Sequence, residues 1–296
     1  MRWRAAAPCA RDRGAAVSST PDQPKKTSIH QFVRAIAAVG VLATAGALAV
    51  GASAQTPRAA ANADKPTIVL VHGAFAESSS WNGVIRKLQE QHYPVIAIAN
   101  PLRGVKSDAS ELASVVDAVK GPVVLVGHSY GGMVISDAAN AKQNVKGLVF
   151  VAAFAPEQGE SAAALAGKFP GSTLGPALAP PVPLADGGKD LYILTGRFHD
   201  QFAADVSPAA ARLMAATQRP IAEAALGEPA SAAAWKSVPS WFVYGDADKN
   251  IPPAAQAFMA QRAKAVKTVV VKGGSHVVMT SRPDVVARLI IEAARH

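Results

Sequence analysis

The stretch Gly127-His128-Ser129-Tyr130-Gly131-Gly132 constrains this chain more than any other. It directly follows the apolar β-type run Val123–Val126 (VVLV) and opens a helical pattern over Tyr130–Ala141. A serine that is to attack a substrate must project from a sharp, strained strand-to-helix turn, and such a turn tolerates little bulk on either side. Gly127 and Gly131, two residues before and two after Ser129, meet that demand. The helix that follows points its N-terminal amides at the place where negative charge would develop. Alone, a G-x-S-x-G match is weak; its position between strand and helix gives it weight.

The rest of the chain repeats the same rhythm. Short apolar runs at Thr67–Val71, Val95–Ala99, Val123–Val126, Leu148–Val151, Trp241–Tyr244 and Thr268–Val271 alternate with helical patterns. Nearly continuous apolar runs indicate strands covered on both faces, as in a parallel sheet flanked by helices. The helical patterns are Ser80–Gln91, Asp108–Val119 with Asp108 or Ser107 as cap, Tyr130–Ala141, Ala254–Lys264 and Pro283–Arg295. This predicts an α/β fold, a doubly wound and mostly parallel sheet. Residues 156–237 break the rhythm. They hold a Pro/Gly-rich stretch, helical patterns near Ser207–Thr217 and Pro220–Leu226, and no convincing strand. An insertion of that length between strands is read as a helical cap over the sheet's carboxyl edge. The core then comprises residues 66–155 and 238–296.

Serine is a poor nucleophile at neutral pH and needs a base. His276 follows the last core run in Lys272-Gly273-Gly274-Ser275-His276, which places it at a strand's carboxyl end beside the serine. His72 follows the first run and is expected to pin its turn; His128 fills the variable position of the elbow. His92 and His199 fall in a loop and in the cap, and His296 is terminal. The imidazole needs a carboxylate to fix its tautomer. Two aspartates leave the fifth run in Gly245-Asp246-Ala247-Asp248. Asp248 is favoured because it clears the strand and can turn back toward His276; Asp246 is expected to bond amides of its own turn. Amide donors for a developing oxyanion are expected from Tyr130 and from the turn after the first run, most simply Ala74, with Phe75 the competing neighbour. Phe75, Trp81 and Phe154 are candidate pocket walls, with Leu174, Leu178, Phe198, Phe202 and Met214 of the insertion as further candidates.

Residues 1–54 read as a leader and signal peptide. Lys25, Lys26 and Arg34 are basic, Ala35–Val50 is apolar, and Ala52-Ser53-Ala54 is a small-residue cleavage pattern, so export with cleavage near Ala54 is expected. At ~1.5 Å per residue the apolar stretch reaches only about 24 Å, short of a ~30 Å hydrocarbon core. No stable membrane span is therefore expected in the processed chain. Residues 55–65 form an Ala-rich linker. The formal net charge of +9 owes much to the leader, and Lys and Arg are scattered elsewhere, which argues against a nucleic-acid partner. The single cysteine, Cys9, lies in the leader, so the processed chain has no disulfide and no thiolate nucleophile or ligand. No cofactor and no metal are expected. Length carries no signal for oligomeric state.

Four motifs in order identify a resemblance to the α/β-hydrolase superfamily over about 66–296: VHGAF with Trp81 soon after, GHSYGG, FVAAFAP at Phe150–Pro156, and His276-Val-Val-Met279-Thr-Ser281-Arg-Pro283. They look like the branch of methyl esterases and hydroxynitrile lyases. The resemblance implies a serine hydrolase acting on small-molecule carboxylic esters through an acyl-enzyme, with Ser129, Asp248 and His276 in the chain order of that fold. Two departures or alternatives accompany it. Hydroxynitrile lyases of this type place a lysine beside the histidine, where this chain has Val277; cofactor-free perhydrolases share the same three residues. A non-catalytic ligand-binding protein on the same fold is the reading from another class.

Overall fold

The computed structural model describes residues 65–296. The expected leader and signal peptide, and the linker except Lys65, lie outside the described residues. Among the described residues no helix is long and apolar enough to cross a membrane.

The first part of the core runs β1 (Thr67–Val71), α1 (Asn82–Glu90), β2 (Val95–Ile98), α2 (Val105–Ala118), β3 (Val123–His128), α3 (Gly131–Ala138) and β4 (Val145–Val151). The insertion holds α4 (Ala162–Gly167), α5 (Leu174–Ala177), β5 (Val182–Pro183), β6 (Lys189–Leu191), α6 (Thr195–Phe202), α7 (Pro208–Thr217), β7 (Ile221–Ala222) and α8 (Glu223–Gly227). The chain returns through β8 (Ser240–Gly245), α9 (Pro253–Arg262), β9 (Lys267–Val271), α10 (Val278–Ser281) and α11 (Pro283–Arg295).

Six strands pair in the order β2-β1-β3-β4-β8-β9, every pair parallel. The chain leaves β1 for β2 on one side, then crosses to β3 on the other. Such a reversal opens a crevice at the carboxyl ends of the two strands it separates, here β1 and β3. Register aligns those ends: Val71 pairs with Gly127, His128 with Val151, and Gly245 with Val271. The loops leaving β1, β3, β8 and β9 therefore emerge along one edge.

β3, β4 and β8 are buried almost throughout, as continuous apolar runs require. The same pattern at β2 and β9 reads differently in three dimensions. Both are edge strands, and Ile96 and Val270 face outward. A run of Val and Ile reports strand character; its position in the sheet depends on pairing that the run does not encode.

Two expectations need correction. α2 starts at Val105, not Asp108, and its N-cap is Gly104. Asp108 sits one turn inside, and its Oδ1 accepts from the Arg103 and Gly104 amides. The first amides of the helix are taken from outside: Glu228 of the insertion accepts from Val105 N at 2.7 Å and Lys106 N at 3.2 Å. The cap also contains strands. β5, β6 and β7 form a small antiparallel sheet whose strands are two or three residues long, too short for any alternation to show. Arg103 joins this sheet to the core through Asp190 at 2.6 Å and the Pro220 carbonyl at 3.1 Å.

Candidate active site

Ser129 follows β3 directly and carries φ +53°, a left-handed backbone that a side-chain-bearing residue adopts only when its surroundings enforce it. Packing enforces it here. A Cβ on Gly127 would lie 2.6 Å from the Gly131 carbonyl oxygen, so only glycine permits the bend. A Cβ on Gly73 would lie 2.6 Å from the Ser129 Cβ, which shows how closely the β1 loop approaches the serine.

His276 Nδ1 lies 2.7 Å from Asp248 Oδ2, and Nε2 lies 2.9 Å from Ser129 Oγ. A carboxylate only accepts, so Nδ1 carries the proton and Nε2 is free to take the hydroxyl hydrogen. Asp248 is held in turn. Its Oδ1 accepts from Asn250 N at 2.8 Å and Ile251 N at 3.1 Å, and Oδ2 accepts from Gln256 Nε2 at 2.9 Å. The three side chains are distant in sequence and meet because the β8 and β9 loops are zipped together. Ala247 N donates to the Gly274 carbonyl, and the backbone of Gly245 packs directly on Gly274. Asp246, expected to bond its own turn, instead accepts from Gly273 N at 2.6 Å and ties one loop to the other. All three residues are buried, Ser129 only 7% exposed.

Ala74 and Tyr130 share a pocket wall with Ser129. Among the described residues, neither the Ala74 nor the Tyr130 amide donates to a protein group, whereas the Phe75 amide is committed to the Arg219 carbonyl at 2.9 Å. Of the two neighbours weighed in the turn, Ala74 is the one whose amide has no protein acceptor among the described residues. His72 supports that turn. Its Nδ1 donates to the Gly73 carbonyl at 2.9 Å, and its Nε2 accepts from Asn100 N at 3.0 Å. Burial lowers its pKa to about 4, with the bond to Gly73 opposing and the nearby Arg219 charge adding to the effect.

Sequence reading gave no role to several neighbours. His128 is fully buried beside His276, ring centroids 4.8 Å apart, and its Nε2 donates to the His276 carbonyl at 3.1 Å. Burial, and then the charge of His276, hold its pKa well below the usual histidine value, so it stays neutral when its neighbour is protonated. Tyr130 anchors its hydroxyl on buried Asp108 at 3.1 Å, and burial followed by the Asp108 charge raises the phenol's pKa. Burial likewise raises that of Asp108. Asp205 of the cap accepts from the Ser275 hydroxyl, one residue before His276. Asp108 carried a signal in the sequence as an acid at a helix start, and His128 and Tyr130 as members of the elbow motif, but none of these side-chain contacts was readable there.

A pocket of about 370 Å³ opens above Ser129 and His276 and also includes Ala74 and Tyr130. Phe75, Phe154, Leu174 and Leu178 line it as expected. Trp81 does not. It is fully buried and stands edge-on to His128. Phe198 and Phe202 are also core, Phe202 packing on His276 at 5.1 Å between ring centroids, and Met214 faces a different cavity. The walls missed were small or local: Ala162, Ala163 and Ala166 of α4, Leu226, and Ile251.

Residues 68–289 match the model of the alpha/beta hydrolase family. The chain belongs to that family. A curated relative, the alpha/beta hydrolase nvfD of Aspergillus novofumigatus (strain IBT 16806), is 26% identical over 253 residues, covering 78% of this chain and 97% of the relative. Among solved structures this hydrolase is similar to polyneuridine aldehyde esterase, with TM-score 0.67 and 19% identity over 77% of this chain and 98% of the other. It is also similar to a pyrethroid hydrolase from Sphingobium faniae JZ-2, with TM-score 0.62 and 22% identity over 78% and 97%. These structural likenesses establish the fold.

Proposed function

We propose that this alpha/beta hydrolase cleaves carboxylic esters of small, largely apolar molecules through an acyl-enzyme on Ser129. The observation that carries the reading is the unbroken line Ser129 Oγ, His276, Asp248, with both hydrogen bonds under 3 Å, at the floor of an apolar pocket. His276 Nε2 takes the Ser129 proton as Oγ bonds to the ester carbonyl carbon. The Ala74 and Tyr130 amides hold the oxyanion, a contribution worth about 10²–10³ in rate per donor. Collapse breaks the bond to the alcohol, which leaves with the proton from His276. Water, deprotonated by the same imidazole, then releases the acid. Asp248 keeps the tautomer and stabilises the transient imidazolium. The names of the two structural neighbours, an esterase and a hydrolase, agree with this reading.

Among the described residues the pocket wall carries no Lys or Arg, and buried Val277 stands where the resemblance to hydroxynitrile lyases would place a lysine, which weighs against the lyase reading. Export is proposed from the basic, apolar and small-residue pattern of residues 25–54.

Ser129→Ala tests the reading. Turnover of p-nitrophenyl butyrate is expected to fall by roughly 10⁴–10⁶ and labelling by a fluorophosphonate to vanish. Retained turnover would remove Ser129 from the reaction. Labelling of the unaltered chain without any turnover would favour a binding protein.

A further inference from the structure

Phe75 is a wall of two cavities. On one side lies the pocket above Ser129; on the other lies a second cavity of about 300 Å³, between the loop after β1 and helix α7. Ala76, Ser80, Ala210, Leu213, Met214 and Thr280 help to line it. No catalytic atom reaches this second space.

The size of the first pocket makes the second matter. At roughly 30 Å³ per non-hydrogen atom, 370 Å³ holds on the order of a dozen atoms. That matches a short ester more closely than one with a long chain on either side of the carbonyl. The second cavity would add space for about ten more atoms at the same density.

Phe75 is the residue that the two cavity walls share. The Phe75 backbone is fixed by its bond to the Arg219 carbonyl and by a left-handed φ of +61°, so the ring is the part able to move. Its neighbour is Phe202, edge-on at 6.2 Å between centroids. At the far side, Leu213 is 68% exposed, the most open large apolar side chain among the described residues, and a substrate lying in the cavity would cover it.

We propose that the second cavity is a distal substrate subsite gated by Phe75, which receives the apolar half of an ester that the pocket above Ser129 does not hold. The chemistry that fits is an unbranched alkyl or similarly slender apolar group. Glu77, Ser79 and Asn82 place polar groups along the same cavity, so a polar terminus there would meet partners. This inference rests on the esterase reading, and it makes Phe75 a determinant of substrate length rather than of catalysis.

The test compares the kcat/KM ratio of octanoate to butyrate p-nitrophenyl esters, and of octyl to ethyl butyrate, across three proteins. Phe75→Ala is expected to raise one of the two ratios about tenfold by joining the cavities. Adding Leu213→Glu to Phe75→Ala should return that ratio to its original value, because a carboxylate at the mouth penalises an apolar tail. If neither ratio rises, or if the rise survives Leu213→Glu, the subsite does not exist. Were no ester turned over by the folded chain, the esterase reading would fail by itself. The subsite would then be judged by binding of octyl butyrate to Ser129→Ala, read by titration calorimetry, where Phe75→Ala must tighten and Leu213→Glu must reverse the gain.

Discussion

At the carboxyl edge of the sheet backbone meets backbone, whereas in the cap many positions stand in open space. A Cβ on Gly73, Gly127 or Gly131 would come within 2.6 Å of another residue, while Gly167, Gly175, Gly196 and Gly227 of the cap have nothing within 4 Å. Hydrogen bonding crosses that boundary more freely. Glu228 bonds the start of α2, Arg103 bonds Asp190, Phe75 N donates to the Arg219 carbonyl, Gln201 donates to the Lys249 carbonyl and to Asn250, and Ser275 donates to Asp205. The edge that carries Ser129, Asp248 and His276 is thus packed with almost no room for adjustment, while much of the pocket wall comes from a layer with space around its backbone, joined there by Phe75, Phe154 and Ile251 of the core.

The sharpest challenge to that division lies between two aspartates two residues apart. Asp248→Asn replaces the acceptor of the His276 Nδ1 proton and favours the wrong tautomer, so kcat for p-nitrophenyl butyrate should fall by about 10⁴. Asp246→Asn keeps an oxygen for Gly273 N and should cost less than about tenfold. Equal losses would mean that loop docking, not proton handling, dominates at this edge.

A second comparison sets one region directly against the other. Gly73→Ala must displace either the turn carrying the Ala74 amide or Ser129, and a loss of about 10²–10³ in kcat is expected, the cost of one oxyanion donor. Gly167→Ala, in open space at the end of α4, should leave kcat within about twofold and raise stability by under about 1 kcal/mol. A cap substitution as damaging as the one at residue 73 would show that the two layers are coupled.

What the sequence made legible follows the same boundary. The core strands, the elbow at Ser129 and the loops bearing Asp248 and His276 were readable because local pattern dictates them: apolar runs, glycines at fixed offsets, residues just past strand ends. The cap strands were not, because Val182–Pro183 is too short to show alternation and Ile221–Ala222 pairs with Asp190 and Leu191 far back in the chain. Glu228 as an external cap for α2 has no local signature. Trp81 was assigned to the pocket because a tryptophan after an active-site turn has the same sequence signature whether it faces core or ligand. The alanines of α4 were overlooked for the opposite reason, since their contribution to the pocket is the space they leave.

A further prediction concerns how the tightly packed edge responds to acid. His72 is neutral in the folded chain, with its pKa lowered from the usual 6.5 to about 4, chiefly by burial. A histidine depressed in this way adds stability that is complete above about pH 6.5 and is lost as pH falls toward 4, because the unfolded chain binds the proton first. By pH 5 the loss from His72 alone is on the order of 2 kcal/mol. His128, depressed for the same reason, acts with the same sign. Asp108 acts in the opposite sense, since its raised pKa makes its buried charge less costly as the solution becomes acidic. Urea unfolding at pH 7.5 and pH 5 checks the balance. His72→Gln should unfold more easily at pH 7.5, having lost its bonds to Gly73 and Asn100, yet lose about 2 kcal/mol less than the unaltered chain between the two pH values. Identical losses would mean that the imidazole reaches water in the folded state, and that the turn bearing the Ala74 amide is not as tightly closed as its contacts require.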